Sequence, residues 1–273
     1  MSFSDNLFKR LDEGRFLGLQ VWEFSFKSLS REYGRAFLWK VVLRHPWRTL
    51  RGAFEYRRFL KRRRRKGGIT HLFWEGEEDF LQKATAEEGI LVGLGFCQKP
   101  FECPSRRPNH SCLYLSTLDL DQGEEWPHPI CRECKVAIMG KKALAAGANM
   151  YLMTSALDIA CDVMIPSLET GRNAILILCP LSVQAITLPL LICGIKGYLI
   201  EYSSGNCRDY EEWLRADRGV KEEMTTLSPG ALEKVMGLLH LLASRRRGSI
   251  RFERQGNMYW PVGEPSTDGH ASV

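Results

Sequence analysis

Hydrophobic and polar positions follow two different patterns along the chain, and the change falls near residue 68. Before it, large apolar residues recur at helical spacing, which predicts an amphipathic helix. They are Trp22, Phe26, Leu29, Tyr33, Phe37 and Val41. His45-Pro46 predicts a break, because a residue before proline avoids the α region, and a second helix is expected from Pro46 to the basic run Lys61–Lys66. Gly67-Gly68 predicts a stop and a hinge.

After residue 68, short apolar segments alternate with helical ones. This pattern predicts an α/β fold with a mainly parallel sheet and helices on both faces. Strands are expected at 69–74, 90–96, 149–154, 174–179 and 198–202, helices at 136–146, 155–165, 181–193, 211–224 and 232–244, and a hairpin at 249–262. We therefore predict a basic helical arm (1–68), a cysteine-rich α/β metal-binding domain (69–262) and a disordered tail (263–273).

One uncharged stretch, Ala174–Ile195, is long enough to suggest a membrane span. Pro180 and Pro189 interrupt it, and it contains Ser182 and other polar residues. It divides naturally into a strand, a helix and a turn, so we predict a buried βαβ unit rather than a span.

Charge is distributed unevenly along the chain. Residues 1–66 contain 18 Lys/Arg and 6 Asp/Glu, whereas the remainder contains 20 basic and 26 acidic residues. The first residues lack the apolar core of a signal peptide, so a reducing, cytoplasmic environment is expected. There, clustered cysteines indicate metal or redox chemistry more often than disulfides, and the odd number of nine agrees with this.

Five of the nine cysteines lie within residues 97–134. Their spacing is Cys97-x5-Cys103-Pro, then Cys112, then Cys131-x2-Cys134. A Cys-x2-Cys pair lets two thiolates reach one metal from a tight turn, and thiolates suit both zinc and iron–sulfur clusters. We predict that these five cysteines bind a metal, with an iron–sulfur cluster of the 4Fe–4S type favoured over zinc.

Three cysteines come at or just after expected strand ends. They are Cys97, Cys179 and Cys207. Because ligands of parallel sheets bind beyond the carboxyl ends of the strands, we expect these cysteines on one edge, with Cys179 and Cys207 contributing to a cofactor site. Cys161 and Cys193 lie on apolar helical segments and are expected to pack in the core.

The order of these residues resembles that of a known family. The shared features are Cys97 after a strand, Cys103-Pro104, Cys131-x2-Cys134, Ile175–Pro180, and Gly194-x2-Gly197 leading to Gly205-x-Cys207. Over residues 90–210 they resemble the prokaryotic family catalogued as domain of unknown function 116. The resemblance implies an iron–sulfur-binding α/β protein without an assigned reaction. Its functional set here would be Cys97, Cys103, Cys131, Cys134, Cys179 and Cys207. The chain departs from the family pattern in its long insert between Cys112 and Cys131.

Common nucleotide and nucleophile motifs are missing from the sequence. It has no Gly-x4-Gly-Lys-Ser/Thr loop, no Gly-x-Gly-x-x-Gly opening a helix and no Gly-x-Ser-x-Gly elbow. Whether the chain is an enzyme stays open, and three functions compete. The first is an iron–sulfur protein with a redox or accessory role beside a partner enzyme. The second is a zinc-stabilised module that binds nucleic acid or a protein. The third is an enzyme with Cys179 or Cys207 as nucleophile.

The basic run Lys61–Lys66 follows aromatic-rich helices and allows three interpretations. Residues 15–66 would bind an anionic membrane at its inner face through apolar and cationic side chains. Nucleic acid would use the same cations on phosphates, and its affinity would depend on salt. The simplest alternative is a solvated helix end. The aromatic residues favour the membrane over nucleic acid.

Overall fold

The computed structural model describes residues 31–62, 68–86, 90–120, 126–245 and 251–262 of the 273-residue chain. Within these ranges, seven strands form one mostly parallel sheet whose strands alternate with helices, which confirms the predicted α/β class. Three predicted features lie outside the described residues. They are the first part of the arm (1–30), most of the basic run (63–66) and the tail (263–273).

The sheet has a parallel centre and antiparallel edges. Its strands are β1 (Ile69–His71), β2 (Ile90–Gly95), β3 (Asn149–Met153), β4 (Arg172–Leu178), β5 (Ile195–Glu201), β6 (Arg251–Gln255) and β7 (Met258–Val262). Their order is β1-β5-β4-β2-β3-β7-β6. The central strands β5, β4, β2 and β3 run parallel, whereas β1, β7 and β6 join antiparallel. The hairpin predicted near the C-terminus is therefore the β6–β7 edge of the sheet.

Helical segments connect these strands. They are α1 (Glu32–Phe37), α2 (Pro46–Arg62), α3 (Glu77–Ala86), α4 (Leu113–Ser116), α5 (Lys135–Ala145), α6 (Ala156–Ile159), α7 (Ser167–Thr170), α8 (Pro180–Ile192), α9 (Tyr210–Asp217) and α10 (Pro229–Arg245). Short π-helical turns continue α1 and α6. Serine side chains cap two of these helices: the Ser155 and Ser228 hydroxyls accept hydrogen bonds from backbone amides at the starts of α6 and α10.

The core lies around the parallel strands. Every residue of β2 and β3 is buried, and so are the last five of β4. A strand covered on both faces needs apolar residues at consecutive positions rather than at alternate ones. This explains why these segments appear in the sequence as continuous hydrophobic runs.

The uncharged stretch 174–195 is divided as predicted. It supplies most of β4 and the whole of α8, and the turn at Gly194 leads into β5. Among the helices of the described residues, none combines the length and apolarity that crossing a membrane requires.

The basic arm does not stand apart from the sheet domain where the structure describes it. Helix α2 packs across α8, and Gly52 lies at the contact. A Cβ at Gly52 would approach the Ile192 backbone within 2.7 Å, so only glycine allows this closeness. Tyr56 and Phe59 are buried on the same face of α2.

One predicted helix is shorter than expected. The segment 211–224 was expected to be helical throughout, but α9 ends at Asp217. Gly219 has φ +88, a conformation that L side chains rarely adopt, and a Cβ there would meet the Pro108 ring at 2.7 Å. The chain therefore leaves the helix and returns toward the cysteine-rich loop, carrying Lys221 and Thr225 to the sheet edge.

Candidate functional site

The three strand-end cysteines meet at the carboxyl edge of the sheet. Cys97 follows β2 and Cys179 follows β4, and these strands are parallel neighbours with Leu94 opposite Ile177. Cys207 arrives through the loop after β5. All three side chains line one cavity, which we call the strand-end pocket. The predicted convergence of these cysteines is thereby confirmed, while their role in holding a cofactor stays a prediction.

The strand-end pocket lies between the sheet edge and the starts of α6 and α8, with α9 on one side. Its other lining residues are Gly95, Phe96, Met153, Thr154, Ser155, Ala156, Ile159, Ile177, Leu178, Ser182, Ile186, Tyr202, Trp213, Ala216, Asp217, Lys221 and Thr225. Most of these side chains are apolar, so the cysteine sulfurs and a few polar groups stand out against a hydrophobic wall. Such a lining is typical of a small-molecule site.

Cys179 is the N-cap of α8, and its sulfur accepts hydrogen bonds. The Ser182 backbone amide donates at 3.3 Å, and the Ser182 hydroxyl lies 3.0 Å away. The Cys207 thiol contributes a further hydrogen bond. Together, led by the bond from Cys207, these donors outweigh burial and lower the pKa of the Cys179 thiol to about 7. The N-terminus of a 13-residue helix also favours negative charge at this position.

Trp213 fixes the direction of the hydrogen bond between Ser182 and Cys179. The indole Nε1–H of Trp213 lies 3.0 Å from the Ser182 Oγ, and an indole nitrogen can only donate. The hydroxyl oxygen therefore accepts from Trp213, which leaves its own hydrogen available for the Cys179 sulfur. The chain of donors from Trp213 through Ser182 to Cys179 supports a thiolate rather than a thiol.

Cys207 and Lys221 complete the polar side of the pocket. The bond to Cys179 and burial both raise the pKa of the Cys207 thiol, so Cys207 keeps the proton that the pair shares. The Lys221 side chain is almost fully buried, pairs with Glu212 at 2.8 Å and interacts electrostatically with Cys207 and Cys97. A fixed cation beside two sulfurs favours any negative charge that forms on them.

Cys97 belongs to this pocket and not to the cysteines that follow it in sequence. Burial raises the pKa of its thiol, although hydrogen bonds with Thr225 and Tyr202 act in the opposite direction. The Tyr202 hydroxyl also accepts from the Gly95 amide at 3.1 Å and donates to the Ile177 carbonyl at 2.9 Å. Tyr202 thus ties the ends of β2 and β4 together beneath the pocket.

The other four cysteines of the sequence cluster form a second group. We call Cys103, Cys112, Cys131 and Cys134 the loop cysteines. Cys134 interacts electrostatically with Cys103, Cys112 and Cys131, so all three thiols lie within electrostatic range of Cys134. Burial raises the pKa of the Cys112 thiol to about 11 and raises the pKa values of Cys131 and Cys134.

A buried ammonium group lies beside the loop cysteines. Lys99 is only 1% exposed, and burial lowers its pKa, whereas Cys103, Cys112 and Cys134 raise it. Its three N–H donors reach backbone carbonyls, at Arg106 (3.2 Å), Asn109 (2.6 Å) and Ser111 (2.7 Å). Lys99 therefore satisfies its donors by folding the loop around itself.

Arg107 joins the loop to the strand-end pocket. Its guanidinium donates to the carbonyls of Lys99 (3.0 Å), Cys97 (3.0 Å), Lys221 (2.6 Å) and Glu223 (3.1 Å). These carbonyls come from both sides of the pocket, so one side chain sets the distance between them. The guanidinium also covers the Phe101 ring, 4.2 Å from its centroid.

His110 anchors the loop to β3. Its Nδ1 lies 2.7 Å from the Leu152 carbonyl, and its Nε2 lies 2.9 Å from the Thr154 hydroxyl and 3.3 Å from an Asp158 oxygen. Both ring nitrogens are thereby engaged by groups at the end of β3 and the start of α6. His110 is accordingly a structural residue in this arrangement.

The placement of the cysteines decides whether they form a metal site. Within the ranges that the structure describes, no group of three or more His, Cys, Asp or Glu side chains is arranged to hold a metal ion. The loop cysteines have the chemistry of zinc or iron–sulfur ligands, and their placement as it stands does not form a ready site. The predicted set of Cys97, Cys103, Cys112, Cys131 and Cys134 is divided, with Cys97 in the pocket.

Sequence reasoning missed the polar residues that shape both groups. Three cationic side chains are buried: Lys99, Arg107 and Lys221. Burial is uncommon for lysine and arginine, and the spacing of these residues along the sequence does not predict it. Ser182 had a detectable signal, because a serine three residues after a helix-capping cysteine can donate to the sulfur. Trp213 had none, since its indole reaches Ser182 only through the packing of α9 on α8.

Comparisons with known proteins add no relative. No family model matches the chain, and neither the curated proteins nor the solved structures contain a significant match. The resemblance to domain of unknown function 116 therefore stays a prediction, and the function has to be argued from the two cysteine groups alone.

Proposed function

We propose that this chain is a thiol redox protein whose reactive pair is Cys179 and Cys207. The observation that carries the proposal is the Cys179 sulfur at the start of α8, which accepts bonds from Ser182 and from the Cys207 thiol in an apolar pocket. A thiolate with a neighbouring thiol is the arrangement that disulfide exchange requires. A pKa near ambient pH also gives a good attacking thiol.

The reaction transfers two electrons from the Cys179–Cys207 pair to a substrate disulfide. The Cys179 thiolate attacks one sulfur of a substrate disulfide, forming a mixed disulfide and releasing the other half as a thiolate that takes up a proton. Cys207 then loses its proton and attacks the Cys179 sulfur, releasing the second half of the substrate as a thiolate that takes up a proton in its place. The pair becomes a disulfide, and the substrate has gained two electrons. A dithiol reductant reverses these steps.

The surrounding residues would support each step. Ser182 and Trp213 stabilise the attacking thiolate through the donor chain to Cys179. Lys221 lies in electrostatic range of Cys207, where negative charge develops as that thiol is deprotonated. The apolar wall favours a substrate disulfide with hydrophobic groups next to its sulfurs.

A redox titration tests the proposal. The full chain is equilibrated in glutathione buffers of increasing oxidation, and disulfides are located by mass spectrometry of peptides. We expect a reversible bond between Cys179 and Cys207. In Cys207→Ser, a mixed disulfide between Cys179 and glutathione should accumulate, because no thiol resolves it.

Cys161→Ser is the matched control, since Cys161 lies on the π-helical turn after α6 and does not line the pocket. This variant should titrate as the wild type does. The proposal would be wrong if no buffer gave the Cys179–Cys207 bond in a folded chain, or if the control lost it as well.

A second function, an iron–sulfur or zinc centre on the loop cysteines, is favoured by Lys99. Four thiolates around Zn²⁺ or around a [4Fe–4S]²⁺ cluster carry a net charge of about −2, and a buried ammonium beside them offsets part of it. Cys103, Cys112, Cys131 and Cys134 would supply the ligands, and the centre would stabilise the loop or transfer electrons.

Metal analysis of anaerobically prepared protein tests this second function. We expect a brown chain that absorbs near ~400 nm and contains iron and sulfide. Cys131→Ala should lose the metal and Cys161→Ala should keep it. A colourless wild type with stoichiometric zinc would replace the cluster by a zinc-stabilised binding module, and a metal-free wild type would exclude both.

A further inference from the structure

An exposed apolar stripe runs along α2 and the π-helical turn before it. It consists of Trp39, Leu43, Trp47, Leu50 and Phe54. Trp47 is 81% exposed and Phe54 is 71% exposed, which is exceptional for side chains of this size. The spacing of three and four residues puts Trp47, Leu50 and Phe54 on one side of α2, and Trp39 and Leu43 precede the break at His45-Pro46. The stripe is therefore a row of exposed apolar side chains along this part of the chain.

The opposite side of α2 is fixed in the protein. Gly52, Tyr56 and Phe59 are buried, and Gly52 lies directly against Ile192 of α8. A helix held by one face cannot rotate to bury the other. Hydrophobic side chains that remain in water over such a length mark a binding surface.

Cations surround the stripe. Residues 38–62 contain eight Lys/Arg and a single acidic residue, Glu55, which pairs with Arg51. Lys40, Arg44 and Arg57 are exposed along the stripe. A second copy of this chain would bring equal charges together across the interface, which disfavours self-association. An anionic partner with an apolar interior satisfies both features.

We propose that α2 binds in the interface of an anionic lipid bilayer, parallel to its plane. Two tryptophans, a leucine pair and a phenylalanine would enter the boundary between headgroups and acyl chains, while the flanking cations contact lipid phosphates. Phosphates of nucleic acid would attract the cations, but they would leave the stripe exposed to water. The proposal is independent of the thiol reaction.

Docking in this way gives the strand-end pocket a defined position. Helix α8 contacts α2 near its end at Ile192 and carries Cys179 at its start. Its 13 residues span about 20 Å at 1.5 Å per residue. The reactive pair would lie about one helix length from the contact with the bilayer, on the protein side of α2.

Vesicle flotation with the full chain tests the proposal. Vesicles of phosphatidylcholine mixed with phosphatidylglycerol are compared with pure phosphatidylcholine, at low and at high salt. We expect binding to the anionic vesicles that weakens at high salt. Replacing Trp47 and Phe54 together by Asp should lower the partition coefficient by more than about tenfold.

Val220→Asp is the matched control, because Val220 is 58% exposed and lies outside the stripe. It should float as the wild type does, and circular dichroism establishes that all variants are folded. Failure of the wild type to bind anionic vesicles would overturn the proposal. So would equal flotation of the double variant, or a wild-type dimer that becomes a monomer when the stripe is changed.

Discussion

In the strand-end pocket, side-chain donors join a backbone amide at the Cys179 sulfur, whereas the loop sulfurs of Cys112 and Cys134 receive backbone hydrogen bonds and the Lys99 donors beside them reach carbonyls. The Cys179 sulfur accepts hydrogen bonds from the Ser182 amide, the Ser182 hydroxyl and the Cys207 thiol. These bonds lower the pKa of the Cys179 thiol to about 7. Cys112 has a cation nearby, but the donors of Lys99 are occupied by carbonyls, and burial raises the pKa of the Cys112 thiol to about 11. Proximity of charge alone does not make a reactive thiol.

This difference separates two kinds of chemistry in one chain. The pocket pair has a sulfur prepared for nucleophilic attack without any metal. In the loop, burial raises the pKa values of the Cys112, Cys131 and Cys134 thiols, which would lose protons on binding a metal. Single substitutions in each region test this difference.

Removal of the Cys179 sulfur should have the largest effect. Cys179→Ser should reduce the rate of mixed-disulfide formation with oxidised glutathione at pH 7 by about tenfold or more, because the pKa of the Cys179 thiol is lowered to about 7, whereas burial raises the pKa values of Cys97 and Cys112. The measurement is the mass of the intact protein over time. Cys112→Ser is the matched change in the loop and should leave the rate unaltered; an equal loss would remove the distinction between the two regions.

Lys99→Met should unfold the loop rather than alter the pocket thiol. It leaves three carbonyls without their donor, and we expect a loss of about 2–4 kcal/mol in the free energy of unfolding. Urea denaturation measures it. Lys142→Met, on an exposed position of α5, should cost less than about 0.5 kcal/mol. If the two variants were equally stable, Lys99 would not organise the loop.

The Cys207 thiol should account for part of the low pKa of Cys179. In Cys207→Ala, the midpoint of the pH–rate profile for Cys179 alkylation should move upward by about one pH unit, because a donor to the thiolate is lost. Cys207→Ser keeps a donor and should move it less. If Cys207→Ala and Cys207→Ser moved the midpoint equally, the hydrogen bond from Cys207 would not be the cause of the low pKa of Cys179.

Trp213→Phe should have the smallest effect. The ring remains, but the Nε1–H that fixes the Ser182 hydroxyl is lost, so the same midpoint should rise by about 0.3 pH unit. Trp260→Phe, on β7 at the far edge of the sheet, is the control. A downward shift in Trp213→Phe would contradict the proposed direction of the donor chain.

The sequence allowed the sheet and its cysteine edge to be predicted, because both depend on local patterns. Fully buried strands appear as continuous apolar runs, and a residue that follows a parallel strand must lie at its carboxyl edge. Cys97 and Cys179 are neighbours for that reason. The same rule predicted that Cys207 would lie near them. Cys207 follows β5 only after a loop, so its final position also depends on the path of that loop.

The division of the first five cysteines could not be predicted, since spacing does not reveal which side of a loop a thiol faces. Cys97 precedes Lys99 by two residues. Lys99 folds the loop around itself through nearby carbonyls, whereas Arg107 joins the loop to the pocket through the Lys221 carbonyl, more than 100 residues away. The end of α9 depended similarly on the contact between Gly219 and Pro108. Tertiary contacts of this kind leave no periodic pattern.

Site-resolved alkylation across the pH range measures how differently the pocket thiol and the loop thiols react. The folded chain is exposed briefly to iodoacetamide between mildly acidic and alkaline pH, and each cysteine is quantified by mass spectrometry. Cys179 should react first, with a midpoint of about 7, while Cys112 and Cys193 stay unmodified until far higher pH because burial raises their pKa values to about 11 and about 12. If Cys179 reacted only together with Cys112 and Cys193, the pocket would hold no activated thiol.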